Sequence, residues 1–458
     1  MKDTITAVST PPGEGGIGIV RISGPDSVRI ASAILRDSKG RPMALTHRRV
    51  HYGSVHHPTT GSLIDQVIVA FMKSPHSYTT QDVVEINCHG APIILHRVME
   101  ALTELGVRTA RPGEFTQRAF LGGRLDLAQA EGVMDLIRSR TDEARRMAMD
   151  QLKGELSRRI NNLRDDLMDF LIQLEVRMDF CEEDISPLSG DYKLQKISKI
   201  KGQVDELLAT FSRGRIYREG LRACILGAPN AGKSTLFNTL LKSERAIVTD
   251  IPGTTRDRIE ETVNFRGVPL ILMDTAGLHH SRDPVESLGI EITRQTARQA
   301  GLILLVIDAS DPRLDECAEF LSGLDEKKIL IVLNKIDLGN ACSENRLYGL
   351  FPGRPVVEVS LLEGTNLESL TEALGSIILE GNSPEASDVI LTNARHREAL
   401  LRTRQALVSA EESIRNGMAD DFITIDLSSA LNALGEITGK VLHQDLMERV
   451  FENFCIGK

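Results

Sequence analysis

Apolar residues recur every three or four positions along several stretches of the chain, and this spacing places them on one face of a helix. The longest such stretch contains Leu152, Leu156, Ile160, Leu163, Leu167, Leu171, Leu174 and Met178. Residues 192–212, 394–416, 423–434 and 444–454 have the same texture. Each helical block has too little apolar surface to form a core alone, so we predict that residues 121–215 and 385–458 pack together.

Five continuous apolar runs lie between these helical stretches, at 223–226, 269–273, 302–307, 329–333 and 356–359. Continuous rather than alternating hydrophobicity predicts parallel strands covered by helices on both faces. Before position 120, runs at 17–23, 65–70 and 83–90 read as strands separated by Gly and Pro turns. The prediction is a multi-domain α/β plus α protein. It has an α/β domain (1–120), a helical domain in two segments (121–215 and 385–458) and an α/β domain inserted between those segments (216–384).

Composition narrows the class of protein. Among the 458 residues, 64 acidic side chains exceed 54 basic ones, so the net charge is −10. Trp is absent and aromatic residues make up 4%, which argues against a nucleic-acid platform built on bulk charge or base stacking. The six cysteines form no CxxC pair, and no apolar run approaches the ~18 residues of a membrane span. We expect a cytoplasmic protein with no membrane segment.

Residues 227–235 read GAPNAGKST and match the phosphate-binding pattern GxxxxGK[ST]. The motif follows a predicted strand and precedes a predicted helix, which is the context that it requires. Gly227 and Gly232 let backbone N–H groups wrap the phosphates at a helix N-terminus. Lys233 reaches the β and γ phosphates, and the Ser234 hydroxyl is the candidate Mg²⁺ ligand. The sequence therefore predicts a nucleoside triphosphate site.

Further motifs follow in the order that a guanine-nucleotide switch needs. DTAG at 274–277 ends a predicted strand beside the metal and γ-phosphate, and GTTRD supplies the hydroxyls of Thr254 and Thr255. In NKID at 334–337, the Asp337 carboxylate accepts hydrogen bonds from guanine N1–H and its 2-amino group, which adenine lacks. The predicted GTP site comprises Asn230, Ala231, Gly232, Lys233, Ser234, Thr235, Thr249, Asp250, Ile251, Pro252, Gly253, Thr254, Thr255, Asp274, Thr275, Ala276, Gly277, Asn334, Lys335, Asp337 and Ser360.

The residues alone do not decide which groups carry out GTP hydrolysis. Leu278 stands where Ras-type switches carry a water-orienting Gln. Glu286 either positions the attacking water or is a helix N-terminal residue whose negative charge the helix dipole favours. Asn230 either caps the loop or binds a monovalent cation, whose charge at ~4 Å and an effective dielectric constant of ~20 is worth roughly 4 kcal/mol. Cys455, near the end of the sequence, is either incidental or reactive. The arginines between 138 and 164 are interleaved with acids, which favours a solvated face over an RNA contact.

Four segments together carry a family resemblance: TPPGEGGIGIVRISGP, ARPGEFTQRAFLGGRLDLAQAEGV, the GTPase motifs with GTTRD, and the final FCIGK. With these, the chain resembles the MnmE (TrmE) family of tRNA-modification GTPases over essentially its full length. The resemblance implies an N-terminal folate-binding and dimerising domain, a discontinuous helical domain and an inserted Ras-like P-loop G domain. It also implies a potassium-stimulated GTPase that acts on C5 of the wobble uridine, position 34 of tRNA.

The resemblance further implies partners and cofactors. These are a homodimer, a heterotetramer with the flavoprotein MnmG (GidA), tRNA, GTP, Mg²⁺, K⁺ and a tetrahydrofolate derivative in its 5-formyl or 5,10-methylene form. The one-carbon unit of the folate contributes to an aminomethyl or carboxymethylaminomethyl group on the uridine. The rival interpretation is a GTPase switch in ribosome assembly or RNA binding without carbon chemistry. It leaves the N-terminal segment and FCIGK without a role.

The residues that match the family's motifs inherit its roles as expectations. Ser234 and Thr255 match Mg²⁺ ligands, and the K⁺ ligands match Asn230, Thr249, Ile251 and Thr254. The catalytic candidates are Glu286, which orients water, Lys233 and Cys455, which matches a cysteine beside the folate. The folate-binding positions match Arg21, Glu85, Arg124 and Lys458. Arg124 replaces the more usual Lys, which keeps the charge and changes the hydrogen-bond geometry.

Overall fold

The computed structural model describes residues 3–179, 188–243, 260–273, 295–321, 324, 328–339, 341–379, 389–441, 444–452 and 454–457. It contains two compact units, each of which is assembled from separate stretches of sequence. Unit 1 comprises Met1–Met134, Asp150–Lys201 and Arg402–Lys458, and unit 2 comprises Asp135–Met149 and Gly202–Leu401. The predicted domain boundaries near 120, 215 and 384 stay a prediction.

Unit 1 contains a seven-stranded sheet in the order β3-β4-β5-β6-β2-β1-β7. Its strands pair antiparallel, except that β1 and β7 are parallel. The strands are β1 Ile5–Val8, β2 Gly15–Ser23, β3 Leu35–Arg36, β4 Val50–His56, β5 Leu63–Met72, β6 Val83–Gly90 and β7 Arg108–Thr109. The predicted strands at 17–23, 65–70 and 83–90 are therefore confirmed. In β5, Val67, Val69 and Phe71 face the core while Gln66 and Ile68 are exposed, as expected of a sheet with one covered face.

The helices Ser27–Ile34 and Pro92–Glu104 supply the side chains that cover this sheet. Ile30, Val98 and Leu102 pack against Val20 and Ile86 in one core. Each fully buried aliphatic side chain of this kind contributes roughly 1.5–3 kcal/mol. The other helices lying wholly or partly in unit 1 are Glu114–Leu121, Leu127–Arg138, Asp142–Leu152, Glu155–Asp179, Gly190–Ala209, Ala394–Arg415, Asp420–Thr438 and Gln444–Glu452.

Two predicted helices have different ends in the structure. The stretch predicted from Leu152 begins as a helix at Glu155, because Gly154 adopts a φ of 83° and separates it from Asp142–Leu152. Residues 192–212 form parts of two helices, Gly190–Ala209 and Phe211–Glu219. The intervening Thr210 hydroxyl donates to Leu207 O and accepts from Leu391 N at 2.7 and 2.9 Å, respectively. This side chain competes with continuation of the helix.

The long helix Glu155–Asp179 buries the apolar face that the sequence spacing predicts. Ile160, Leu163, Leu167 and Leu174 are almost fully buried. The C-terminal helix Asp420–Thr438 packs against it. The predicted association of the two helical stretches is therefore present for these two helices. Among the described residues, no helix is both long and apolar enough to cross a membrane.

Unit 2 contains a six-stranded sheet in the order β13-β12-β11-β8-β10-β9. Its strands are β8 Leu221–Leu226, β9 Glu260–Phe265, β10 Val268–Met273, β11 Leu302–Asp308, β12 Lys328–Asn334 and β13 Val356–Val359. The five predicted strands are confirmed and parallel. The sixth, β9, pairs antiparallel with β10 and was not predicted, because at this edge only Val263 and Phe265 provide an apolar alternation. The remaining helices lying wholly in unit 2 are Lys233–Ser243, Leu314–Leu321, Glu344–Leu350 and Leu367–Leu379.

A buried carboxylate in unit 1 binds two guanidinium groups. Glu114, which is 5% exposed, accepts hydrogen bonds from Arg108 at 2.7 and 2.9 Å and from Arg118 at 2.9 Å. Asp3 binds the same two arginines at 2.6 and 3.0 Å. Burial by itself raises the pKa of Glu114, but the hydrogen bonds from Arg108, the Arg111 amide and Arg118 outweigh it and hold the pKa at about 2.

This depressed pKa predicts a loss of stability in acid. The Glu114 carboxylate stabilises the fold above its ordinary pKa, and the contribution disappears as the pH falls towards 2. We expect unit 1 to lose about 3 kcal/mol of unfolding free energy over that window, and Glu114→Gln to flatten this dependence. Urea unfolding monitored between pH 2 and 7 measures it. Glu100→Gln is the exposed counterpart: Arg97 also lowers the pKa of Glu100, but solvent screens that pair, so this variant should change the pH profile far less. A profile for Glu114→Gln equal to that of wild type contradicts the assignment.

Candidate functional site

The phosphate-binding loop joins β8 to the helix Lys233–Ser243 at the carboxyl edge of the parallel strands. Gly227 has a φ of 149°, and a Cβ there would lie 2.2 Å from the Val306 carbonyl oxygen. Gly232 has a φ of 109°, so both positions require glycine. The Lys233 ammonium donates to the carbonyls of Gly227 and Ala228 at 2.9 Å each. The loop backbone and its lysine are therefore folded as a cradle at a helix N-terminus.

The Asn334 side chain connects the phosphate loop to the loops that follow β12 and β13. Its side chain is buried at the end of β12, where Nδ2 donates to Ala231 O at 2.8 Å and Oδ1 accepts from Leu361 N at 3.1 Å. A Cβ on Gly232 would lie 2.2 Å from the same Nδ2. Asn334 was predicted as part of the GTP site. Its geometry assigns it to positioning the phosphate loop against the loops after β12 and β13.

The residues after Asn334 form a short rigid loop. Lys335 adopts the left-handed conformation, with a φ of 66°, and its ammonium lies 2.6 Å from the Asp308 carboxylate at the end of β11. Burial raises the pKa of Asp308, but hydrogen bonds from Lys335 and Ser310 lower it below its ordinary value. The turn Ile336–Leu338 then presents an exposed Asp337. An exposed carboxylate on a fixed loop has the geometry needed to read a base edge.

The loop after β13 completes this edge of the sheet. Ser360 is buried, and its hydroxyl accepts a hydrogen bond from Glu363 N at 3.2 Å. Its amide and carbonyl exchange hydrogen bonds with Thr365 at 3.3 and 3.0 Å. The Ser360 side chain is therefore turned inward and its contacts shape the loop, while its role at the base edge stays a prediction.

Two side chains of the phosphate loop have donor chemistry suited to cations. The Ser234 hydroxyl is exposed in the first turn of its helix, and an oxygen ligand of this kind suits Mg²⁺, which takes its other ligands from phosphates and water. Asn230 is exposed and has a φ of 63°, and its amide oxygen suits a monovalent cation. Within the described ranges, no group of three or more His, Cys, Asp and Glu side chains could hold a metal ion.

Several positions of the predicted site lie outside the described residues. These positions are Thr249, Asp250, Ile251, Pro252, Gly253, Thr254, Thr255, Asp274, Thr275, Ala276, Gly277, Glu286 and Lys458. The positions that are described belong to the phosphate loop, the first turn of the following helix, and the loops after β11, β12 and β13. Thr235 is exposed beside Ser234 at the start of that helix.

Unit 1 contains a second cluster, formed by residues far apart in the sequence. Arg21 on β2 pairs with Glu85 on β6 at 2.8 Å. The Arg21 guanidinium lies 5.8 Å from the ring centroid of Tyr78, and the Arg124 guanidinium lies 5.5 Å from the same centroid. Arg124 also donates to Ser77 O. Two of the four residues predicted to bind folate, Arg21 and Arg124, therefore contact one aromatic ring, and a third, Glu85, joins them through its ion pair with Arg21.

The C-terminal segment reaches the same place. The Gly457 carbonyl accepts hydrogen bonds from Arg21 at 3.1 Å and from the Ser9 hydroxyl at 3.2 Å. Gly457 has a φ of 93°, and a Cβ there would lie 2.3 Å from Val8 O. Phe454 is buried in a core with Leu127. The chain thus carries Cys455, whose side chain is exposed, to the neighbourhood of Arg21.

Sequence reasoning missed two contributors to these clusters. Asp308, the partner of Lys335, ends a buried parallel strand, and a carboxylate at that position was a signal available in the sequence. Tyr78 had no such signal, because its contacts with Arg21 and Arg124 arise only in the folded unit. Burial raises the pKa of Tyr78, whose hydroxyl lies 2.9 Å from that of Thr116.

A mostly parallel sheet with a P-loop after one strand and an NKID loop after another defines a GTP-binding domain of the P-loop GTPase class. Two family models cover most of the chain: "MnmE helical domain" matches residues 127–455, and "GTP-binding protein TrmE N-terminus" matches residues 4–124. The chain belongs to the MnmE family of tRNA modification GTPases.

Curated relatives agree over the whole length. The tRNA modification GTPase MnmE of Natranaerobius thermophilus is 43% identical over 457 residues, with 100% of both chains covered. That of Thermoanaerobacter pseudethanolicus is 44% identical, covering 100% of this chain and 99% of its own. Among solved structures, the G domain of the T. maritima FeoB iron transporter is 29% identical over 34% of this chain and 98% of its own, with a TM-score of 0.27.

Proposed function

We propose that this GTPase is stimulated by potassium and, with an FAD-dependent partner of the MnmG (GidA) type, adds an aminomethyl or carboxymethylaminomethyl group to C5 of the wobble uridine of tRNA. A tetrahydrofolate derivative supplies the one-carbon unit when bound. The proposal includes a homodimer, a heterotetramer with the flavoprotein and a cytoplasmic location. Membership of the MnmE family supports each of these features.

One observation carries the folate component of the proposal. Arg21 and Arg124, separated by about a hundred positions, both lie against the Tyr78 ring, and Glu85 pairs with Arg21. The Arg21 side chain is only 14% exposed and pairs with Glu85. The cluster therefore contains one acid, Glu85, and two guanidinium groups, those of Arg21 and Arg124. A surplus of positive charge in a half-buried, aromatic-lined place favours a flat ligand with anionic groups.

The residues of this cluster have separate tasks in the proposal. Arg21 and Arg124 donate to carbonyl or carboxylate oxygens of the folate, whereas Glu85 accepts from its ring N–H groups. Lys458 adds a further cation from the end of the chain. Cys455 is exposed and lies two positions before Gly457, whose carbonyl binds Arg21, and this supports a thiol near the folate. We assign it no bond-forming step.

The GTPase component rests on the phosphate loop. Lys233 neutralises charge on the β and γ phosphates, while Ser234 and Thr255 hold Mg²⁺. Asn230, Thr249, Ile251 and Thr254 hold K⁺. In this proposal Glu286 orients the attacking water, because Leu278 has no group that binds water. Loops that close on GTP and release its products couple hydrolysis to the state of the whole enzyme.

Titration with 5-formyl-tetrahydrofolate separates this proposal from a GTPase switch that performs no carbon chemistry. We expect wild-type protein to release heat and bind one ligand per chain, and Arg21→Ala to weaken binding by about a hundredfold because it removes a charged hydrogen-bond donor. Isothermal titration calorimetry measures both. Arg29→Ala, an exposed arginine of the same unit, is the matched control. Absence of heat with wild-type protein favours the switch.

A further inference from the structure

Three exposed cations lie together at one end of the sheet in unit 1, and we call Arg48, Arg49 and Lys73 the Arg48 patch. Hydrogen bonds fix their proximity. Arg48 N donates to Phe71 O at 2.9 Å, and Lys73 N donates to Nδ1 of His47 at 2.9 Å. The turn containing the two arginines therefore lies directly beside the segment that follows β5.

The cations of the Arg48 patch form no ion pair with the acids that the structure describes. Two other exposed arginines of unit 1 pair with acids: Arg29 with Asp26 at 3.0 Å, and Arg97 with Glu100 at 2.8 Å. The described ion pairs include none for Arg48, Arg49 or Lys73. Asp82, the carboxylate that reaches the adjoining segment, accepts a hydrogen bond from Ser74 N at 2.8 Å. A local charge of +3 thus stands on a chain whose net charge is −10.

Arg48 occupies a backbone position that normally takes glycine or asparagine. Arg49 N donates to Thr46 O at 3.2 Å, which closes a turn, and Arg48 is its third residue with a φ of 58°. That position requires a positive φ, which strains any residue with a Cβ. Of the five other described non-glycine residues with positive φ, Asn230 and Lys335 belong to the nucleotide site, whereas Thr80, Arg266 and Asn366 lie elsewhere. Strain of this kind points to a role for the side chain that occupies it.

Two histidines hold the turn in shape. His47 accepts from Lys73 N, and Nε2 of His51 lies 2.9 Å from Thr46 N, where it accepts a second backbone hydrogen bond. The His47 ring also packs edge-on against Phe71, with 6.3 Å between centroids. The backbone that carries the Arg48 patch is therefore fixed while its charged ends are free to reach solvent, an arrangement suited to contacting a polyanion.

We propose that the Arg48 patch binds the phosphate backbone of tRNA. The inference rests on the proposed function, because it takes the RNA to be the wobble-modification substrate. Three cations that neutralise three phosphates release the counterions bound there. The slope of log affinity against log salt concentration then becomes steeper by about two to three. Such contacts orient the RNA and carry no sequence information. The paired arginines between 138 and 164 lack this surplus charge: Arg145 and Arg146 each bind an acid three residues earlier.

The test uses the full-length protein and unmodified tRNA labelled with a fluorophore, with anisotropy measured between about 50 and 200 mM KCl. Arg48→Gly is the central variant, because glycine fits the turn: we expect an unchanged or raised melting temperature together with about fivefold weaker tRNA binding. A triple variant with Arg49→Ala and Lys73→Ala should lose about a hundredfold and lower the salt slope by about two to three. Arg97→Ala, whose residue is paired with Glu100, is the matched control and should bind as wild type.

The outcomes separate this inference from the function on which it rests. If wild type binds tRNA and the triple variant has the same Kd and salt slope, the patch is not an RNA contact while the proposed function stands. If the triple variant binds tRNA normally but no longer retains the flavoprotein, the patch is a protein contact and the inference is overturned. If wild type binds 5-formyl-tetrahydrofolate but no tRNA, both the inference and direct tRNA contact by this chain fail.

Discussion

Replacing Asp337 with asparagine is expected to lower the affinity for GTP by at least about a hundredfold and to create affinity for xanthosine triphosphate. The carboxylate accepts two hydrogen bonds, from guanine N1–H and from the 2-amino group. An asparagine amide presents one acceptor and one donor, which match the N1–H and the 2-oxo group of xanthine. The guanine amine then faces a donor rather than an acceptor.

The structure explains why this exchange should act on the base without disturbing the loop. Asp337 is exposed, and the loop's shape depends on Asn334, which bonds to Ala231 and Leu361, and on the left-handed Lys335. None of these contacts uses the Asp337 side chain. The substitution therefore changes hydrogen-bond donors and acceptors on a scaffold that stays in place.

Fluorescent GTP and xanthosine triphosphate analogues titrated against the full chain measure both affinities. Asp311→Asn removes an exposed carboxylate from the loop after β11 of the same unit and is the matched control, which should keep the wild-type preference. A GTP Kd that Asp337→Asn leaves unchanged would show that another residue reads the base.

The hydrophobic pattern predicted the five parallel strands of unit 2 because β10, β11 and β12 are buried almost throughout, while β8 and β13 still contain short apolar runs despite an exposed polar residue in each. The edge strand β9 escaped this rule, since one of its faces is polar. Helix ends were less accessible: Gly154 and Thr210 interrupt apolar periodicities that continue past them. Local backbone conformation decides those boundaries, and periodicity does not encode it.

Some functional residues could likewise be predicted from the sequence, whereas the contacts of others could not. Lys233 lies in a motif whose spacing states its chemistry, and the structure builds the strand, loop and helix that the motif requires. The hydrogen bonds of Asn334 to two neighbouring loops exist only in the folded unit. The same holds for the contacts of Tyr78 with Arg21 and Arg124. Contacts between residues so far apart leave no periodicity in the sequence, so their assignment needed the fold.

The potassium proposal predicts the second large effect. A cation about 4 Å from the developing charge contributes roughly 4 kcal/mol at an effective dielectric constant of about 20, and if it is felt only in the transition state it raises kcat about a thousandfold. Hydrolysis should therefore be about a thousand times faster in KCl than in NaCl of equal ionic strength, because the larger ion fits a site made of oxygen ligands and phosphates.

Asn230→Gly tests whether this residue supplies one of those ligands. Asn230 is exposed with a φ of 63°, so glycine keeps the loop conformation while it removes the carboxamide side chain and, with it, the amide oxygen. We expect the variant to lose most of the difference between KCl and NaCl in single-turnover hydrolysis. Asn366→Gly is the matched control, because Asn366 also has a positive φ, 59°, and its amide binds Glu358 O in a turn of the same unit. Equal kcat for wild type in the two salts would remove the potassium site altogether. A retained potassium effect in Asn230→Gly would instead leave the ion in place and assign its protein ligands to Thr249, Ile251 and Thr254.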